Sequence, residues 1–227
     1  YYFDEPKGKS PEVEVNGGYL KGGASYQLNS SSNVFFNAGV IKRPPVFDGV
    51  FINADYDYEQ AEIIENESIT SVELGYNYFG KKVKAKVNAY STVWGDRSFV
   101  DYTSSATETI RTVFNGVEQT HTGIEVEATW FAMSDLVINT SISAANWRYT
   151  KNFEGVSTDA DTGASLGSTG TLYMEDVKIG DAAQFTAFLG ARYFVTSDLS
   201  VDLDVFSFDN LFGDFDVTDS VFREQNN

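Results

Sequence analysis

The sequence predicts an all-β fold, specifically an antiparallel up-and-down transmembrane β-barrel, on three observations. First, eight stretches alternate apolar with polar residues, and their nine charges fall on one parity: Lys21, Glu73, Lys84, Lys86, Glu125, Glu127, Arg192, Asp202 and Asp204. Successive side chains of a strand point to opposite faces, so each stretch has an oily side and a wet side expected to line a lumen. Second, most stretches run about nine to thirteen residues, against five or six for an average soluble strand and 9–11 for one crossing a bilayer. Third, tight turns take turns with loops of roughly 25 to 32 residues, the pattern of an outer-membrane meander.

The first stretch, from about Gly18 to Leu28, sets Leu20, Gly22, Ala24, Tyr26 and Leu28 on one face. After the polar turn Asn29 to Asn33 the second carries Val34, Phe36, Ala38 and Val40. The third aligns Val72, Leu74, Tyr76 and Tyr78; Gly80-Lys81 turns the chain into the fourth, with Val83, Ala85, Val87, Ala89 and Val93. Ile124, Val126, Ala128 and Trp130 make the fifth, and Leu136, Ile138, Thr140, Ile142 and Ala144 the sixth. Phe185, Ala187, Leu189, Ala191 and Tyr193 form the seventh; Leu199, Val201, Leu203 and Val205 form the eighth. No proline interrupts these runs, as ladder hydrogen bonding requires. Lys42, Lys81 and Arg148 reach the apolar parity only at strand ends, where a long side chain finds water. The expected long loops cover Lys42 to Glu67, Gly95 to Thr122 and Thr150 to Asp181.

Aromatic residues punctuate the short turns. Tyr78-Phe79, Trp130-Phe131 and Tyr193-Phe194 each precede one, as rings at a bilayer interface would. Trp94, Trp147 and Phe206 stand at the opposite ends, where a second belt is expected.

Bulk composition narrows the function classes. A formal charge of −17 makes nucleic acid a poor partner, because phosphate binding needs clustered Lys and Arg. Cysteine is absent, which removes disulfides, thiolate nucleophiles and cysteine-held zinc. No apolar run reaches the about 18 residues of a spanning helix, a limit that does not apply to barrels.

Several segments resemble the barrel of TonB-dependent outer-membrane receptors. Arg43-Pro44-Pro45 after the second stretch is similar to their Arg-x-Pro element. The run from Glu65-Asn66-Glu67 to Glu73-Leu74-Gly75-Tyr76 resembles their Glu…Glu-Leu-Gly strand entry, without its proline. Asn115-Gly116, with Gly123-Ile124-Glu125 following, looks like their Asn…Gly-Ile/Val-Glu entry. Val177-Lys178-Ile179-Gly180-Asp181-Ala182 and Asp209-Asn210-Leu211-Phe212 resemble receptors of the Bacteroidetes type. The resemblance covers nearly the whole chain. It implies a C-terminal part of a 22-stranded barrel, residues 1–227 supplying about eight strands and long extracellular loops, with plug and terminal strands outside the chain. It also implies the outer membrane and its lipid, TonB reached through the plug, a surface lipoprotein partner, and uptake of a siderophore, cobalamin, oligosaccharide or peptide.

Catalysis has little support. His121 is placed in a loop with no partners at ligand spacing. Glu125 and Glu127 share a face as a carboxylate pair would, but a wet wall with neighbouring Lys and Arg explains them more simply. Asp55, Asp57 and Glu59 alternate with Tyr56 and Tyr58, so Ca²⁺ suits the acids and a sugar or aromatic ligand suits the rings. A solvated acidic loop is the plainer reading, there and at Asp214 and Asp216, so no cofactor is expected. Two rivals remain: a complete eight-stranded outer-membrane barrel of adhesin or structural type, and a soluble glycan-binding β-sandwich.

Overall fold

A computed structural model describes residues 3–4, 8–45, 50–51 and 65–213. Its strands are β1 (Phe3–Asp4), β2 (Gly8–Lys9), β3 (Gly18–Asn29), β4 (Ser32–Arg43), β5 (Glu67–Phe79), β6 (Val83–Ser104), β7 (Thr109–Phe131), β8 (Leu136–Tyr149), β9 (Phe153–Asp159), β10 (Ser165–Leu172), β11 (Ala183–Phe194) and β12 (Ser200–Leu211). No helix occurs among the described residues. The order β3-β4-β5-β6-β7-β8-β11-β12 makes one antiparallel meander, in which each strand pairs with its neighbours along the path. Hairpin β9–β10 attaches to β7, and β1–β2 forms a separate two-stranded sheet. Strands β3 and β12 end the sheet without pairing each other, so the wall is open.

Register ties the alternation of single strands into two continuous faces. Ala24, Phe36, Leu74, Ala89, Ile124, Ala144 and Phe185 are successive partners across seven strands. Ser25, Phe35, Gly75, Asn88, Glu125, Ser143, Thr186 and Phe208 follow one another on the opposite face. The first face leaves Leu20, Leu74, Ile124, Leu189 and Leu203 exposed, with no second layer over them among the described residues. An exposed apolar patch of this extent marks a surface that something else covers.

The turns show how the wall is tilted. Tyr26 shares a ladder row with Tyr76, and Tyr78 lies two residues further on. Tyr78 shares a row with Ala128, and Trp130 lies two beyond it; Trp130 shares a row with Ala191, and Tyr193 lies two beyond that. Each hairpin therefore shifts the aromatic by two residues over two strands. Setting the four rings at one height on the apolar face, as an interface belt requires, corresponds to one residue of about 3.3 Å per inter-strand step of about 4.8 Å, a tilt of about 35° that matches outer-membrane barrels. Tyr26, 70% exposed, belongs to this series and was not singled out in the sequence. Period two sends the second member of each pair, Phe79, Phe131 and Phe194, to the polar face.

The expected second belt is corrected. Trp94 and Trp147 continue the parity of Thr92 and Ala145, and Phe206 that of Asp204, which is the polar face. Position near a strand end had suggested an interface, but the parity of each residue decides its face.

The span Gly95 to Thr122, expected as a loop, is instead a long hairpin, strand on either side of a turn at 105–108. β6 and β7 run 22 and 23 residues, roughly 70 Å each, well past the hydrocarbon thickness of about 30 Å. A register shift between Arg97↔Val117 and Phe99↔Phe114 marks where the hairpin leaves the wall. Gly116 takes φ +71° there, a conformation that costs glycine little, so the Asn115-Gly116 element sits at a bulge. Above it β9 takes over the β7 edge that β8 relinquishes: Thr120 pairs with Arg148, whereas Thr112 pairs with Ser157. The buried core lies here, with Phe114, Val117, Tyr149, Phe153, Leu172 and Met174 packed together and Phe99 against them. The wall below is a single layer open on both faces.

Candidate functional site: the polar face

The nine charges named from the sequence share the polar face across the register. Near the short turns Arg192 donates to Asp202 at 2.5 Å, Lys86 meets Glu127 at 3.3 Å, and Lys84 lies 5.5 Å from the Phe131 ring centroid. In the middle, Asn88 Nδ2 donates to Glu73 (3.2 Å) and Glu125 (3.1 Å), and Asn37 Nδ2 donates to the other oxygen of Glu73 (3.1 Å). One amide therefore bridges two carboxylates that would otherwise repel. These pairs are half-exposed, so they order the face more than they stabilise it.

Nearer the long hairpin the chemistry changes. Arg43 and Glu67, from the two elements singled out in the sequence, are register partners and meet at 2.5 Å. Glu67 is 1% exposed, and Arg43 is the cation that compensates its charge. The guanidinium groups of Arg43 and Arg97 stand 5.5 and 5.1 Å from the Trp94 ring centroid, within cation–π range. Arg97 also donates to Gln119.

His121 lies on strand β7, which corrects its expected place in a loop. Its ring stacks on Trp147 at 5.3 Å between centroids, with Trp94 tilted at 6.4 Å on the neighbouring strand. Trp147 Nε1 donates to Tyr90 Oη at 3.0 Å. Tyr90 reaches it by lying across Gly123, where a Cβ would stand 2.6 Å from the hydroxyl. The residues that sequence reading missed here are Tyr19, Tyr90, Arg97, Ile41 and Ile69. Arg97 fell in the span expected as a loop, and although the other four share the parity of the wet face, no single-strand pattern says which of them become neighbours.

Asp55, Tyr56, Asp57 and Tyr58 lie outside the described residues, as do Asp214 and Asp216. Among the described residues no group of three His, Asp or Glu side chains stands close enough to hold a metal ion.

The family model described as TonB dependent receptor-like, beta-barrel, matches residues 10–226. No curated protein matches the chain. Among solved structures, the copper transporter OprC is similar in fold, with a TM-score of 0.50 at 15% identity, covering 88% of this chain and 37% of that one. The chain thus spans well under two thirds of that structure's length, and the likeness speaks to the fold alone.

Proposed function

Because this chain belongs to the TonB-dependent receptor β-barrel family, we propose that it supplies part of the wall of an outer-membrane receptor that imports a scarce nutrient with energy delivered through TonB. The observation that carries this reading is the eight-strand meander with its charges on one face and bare apolar side chains on the other. Hydrocarbon covers the apolar face, and the polar face lines the lumen. The long hairpins point outward as a vestibule, and a plug supplied outside this chain gates passage and meets TonB. A surface lipoprotein is a further partner for cargo of oligomeric kind. The chain's own share is scaffold and vestibule, with no bond-making chemistry.

The cargo class stays among iron chelate, cobalamin, oligosaccharide and peptide. Copper, named for the structural neighbour, has no support from this segment. Soft-metal sites use His, Met and Cys, whereas the chain has one His, two Met and no Cys. Met174 is sealed in the hairpin core, and Met133 lies in the turn before β8.

The two rivals fare less well. A closed eight-stranded barrel requires β3 to pair with β12, and their edges are open. A sandwich requires a second sheet over Leu74 and Ile124, and besides this wall the described residues hold the β9–β10 hairpin on the β7 edge and the small β1–β2 pair.

Fractionation of the full-length native protein tests the reading. It is expected in the outer membrane, extracted only by detergent, migrating as a compact form in cold SDS and shifting on boiling. A soluble periplasmic protein with no heat-modifiable form would overturn it.

A further inference from the structure

Resting on that reading, we infer that Gln184 is a positioning residue that couples the outer segment of the chain to an aromatic column on the lumen face. Whatever displaces residues 176–179 from outside then also turns Trp147, on the face where cargo passes.

Strand β8 changes partners near its outer end. Its ladder with β11 closes at the pair Ala144–Phe185. Beyond that pair, residues 176–179 run beside β8 as a strap. The Tyr149 N–H donates to Val177 O (3.0 Å), the Asp176 N–H to Tyr149 O (3.0 Å) and the Ile179 N–H to Trp147 O (3.1 Å), and Arg148 pairs with Lys178. Gln184 fills the gap between ladder and strap. Its Oε1 accepts from the Trp147 N–H at 2.9 Å, and its Nε2 donates to Trp147 O at 2.9 Å and to Ile179 O at 3.1 Å. One side chain thus gives Trp147 the donor and the acceptor that a neighbouring strand would have supplied. Gln184 is 3% exposed, so water does not compete for these bonds.

The pinned residue carries the column. With its N–H and C=O both held, the peptide planes of Trp147 cannot swing without leaving buried polar groups unpaired. Its indole stacks on His121 at 5.3 Å between centroids, and its Nε1 donates to Tyr90 Oη at 3.0 Å; Trp94 tilts toward the same imidazole at 6.4 Å. His121 lies nine residues from Trp130 on β7, about 24 Å above the belt at about 2.7 Å per residue. An apolar band of about 25 Å ends at that level, so the column stands where the wall gives way to the outer hairpin. The strap in turn packs Val177 and Ile179 against the hairpin core, and Asp176 meets Arg148 at 2.8 Å. Hairpin core, strap, Gln184 and column form one continuous set of contacts.

The test uses the full-length receptor in detergent, labelled with 5-fluorotryptophan. Trp147→Phe and Trp130→Phe assign the two resonances. Gln184→Met keeps the length of the side chain and removes its three hydrogen bonds. It is expected to shift the Trp147 fluorine resonance, leave that of Trp130 on the distant belt in place, and speed hydrogen exchange at 176–179 by about tenfold. Asp176→Asn tolerates the φ of +65° and weakens the ion pair with Arg148, so it should move the same resonance from the outer side. Coupling is reciprocal, and Trp147→Leu should therefore speed exchange at 176–179 in turn. A Trp147 resonance unmoved by Gln184→Met or by Asp176→Asn, unchanged exchange at 176–179 in Trp147→Leu, or Trp130 moving together with Trp147 would each overturn the inference. The last is the result expected of general loosening. Heat-modifiability of the same preparations separates the failures: an inserted receptor that fails these tests sinks only this inference, and a soluble one sinks the reading beneath it.

Discussion

Replacing Leu189 with arginine tests the identity of the solvent on the apolar face. Leu189 lies four residues from the belt residue Tyr193 on β11. At the tilt of about 35° each residue rises about 2.7 Å along the barrel axis, which puts Leu189 about 11 Å above the belt. An apolar band of about 25 Å has its midplane near 12 Å, so the new charge would sit almost at the centre. There an Arg costs about 2–4 kcal/mol. Leu189 is 54% exposed within the protein, so roughly half of its burial value of about 2 kcal/mol comes from lipid, and losing it adds about 1 kcal/mol. The total is about 3–5 kcal/mol. The control is Ser143→Lys on the polar face, beside Glu125 in the register, expected to cost under about 1 kcal/mol. The assay follows loss of the compact cold-SDS form with urea in native outer-membrane vesicles. Equal midpoints for the two variants, or no shift for Leu189→Arg, would refute the claim that hydrocarbon covers this face.

Three further outcomes follow from local packing. Arg43→Ala leaves the carboxylate of Glu67, 1% exposed, without its cation, so it should destabilise more than Glu67→Gln in the same urea assay, by about 1–3 kcal/mol after allowing for the exposure of Arg43. Phe114→Ala opens a cavity in the hairpin core and should cost that hairpin about 3–5 kcal/mol, read as protease cleavage within 150–181 while the heat-modifiable wall persists. Asp159 is held below the usual carboxylate range, first by the backbone N–H of Thr162, then by the Thr162 side chain, with the Asp161 N–H adding to it. A depressed folded value means that its contribution is complete above the ordinary carboxylate range and is lost as pH falls through the lowered value. Hydrogen exchange at Asp161 and Thr162 should therefore stay protected at neutral pH and speed up in acid beyond the intrinsic trend, and Asp159→Asn should remove that pH dependence.

The wall was legible because its two faces meet different solvents. Period-two alternation at Leu20 to Leu28 or Leu199 to Val205 reports which medium each residue meets, whatever the neighbouring strand does. The outer hairpin was not legible for the complementary reason. Beyond Trp94 the strand bulges, Asp96 takes a positive φ, and both faces become protein or water, so the alternation that marks a membrane strand disappears. Strands β9 and β10 are short and carry Gly167 and Gly170 at positive φ, which reads as loop in one dimension. The cluster around His121 depends on register. Thr92, His121 and Trp147 share one row from strands far apart in the chain, and only the ladder between them brings Trp94 and Trp147 to either side of the imidazole. Arg43 and Glu67 were each noticed for their motif, and their pairing became visible once β4 and β5 were laid side by side.

The way β7 exchanges β8 for β9 along its length separates the outer hairpin from the wall. Residues 153–172 pair with β7 only above the point where β8 has ended, whereas Val177 to Ile179 hold the outer end of β8. Insertion or trimming within 153–172 leaves the order and register of the eight meander strands as they were. Change in that outer hairpin therefore leaves the strand pairing of the wall beneath it untouched.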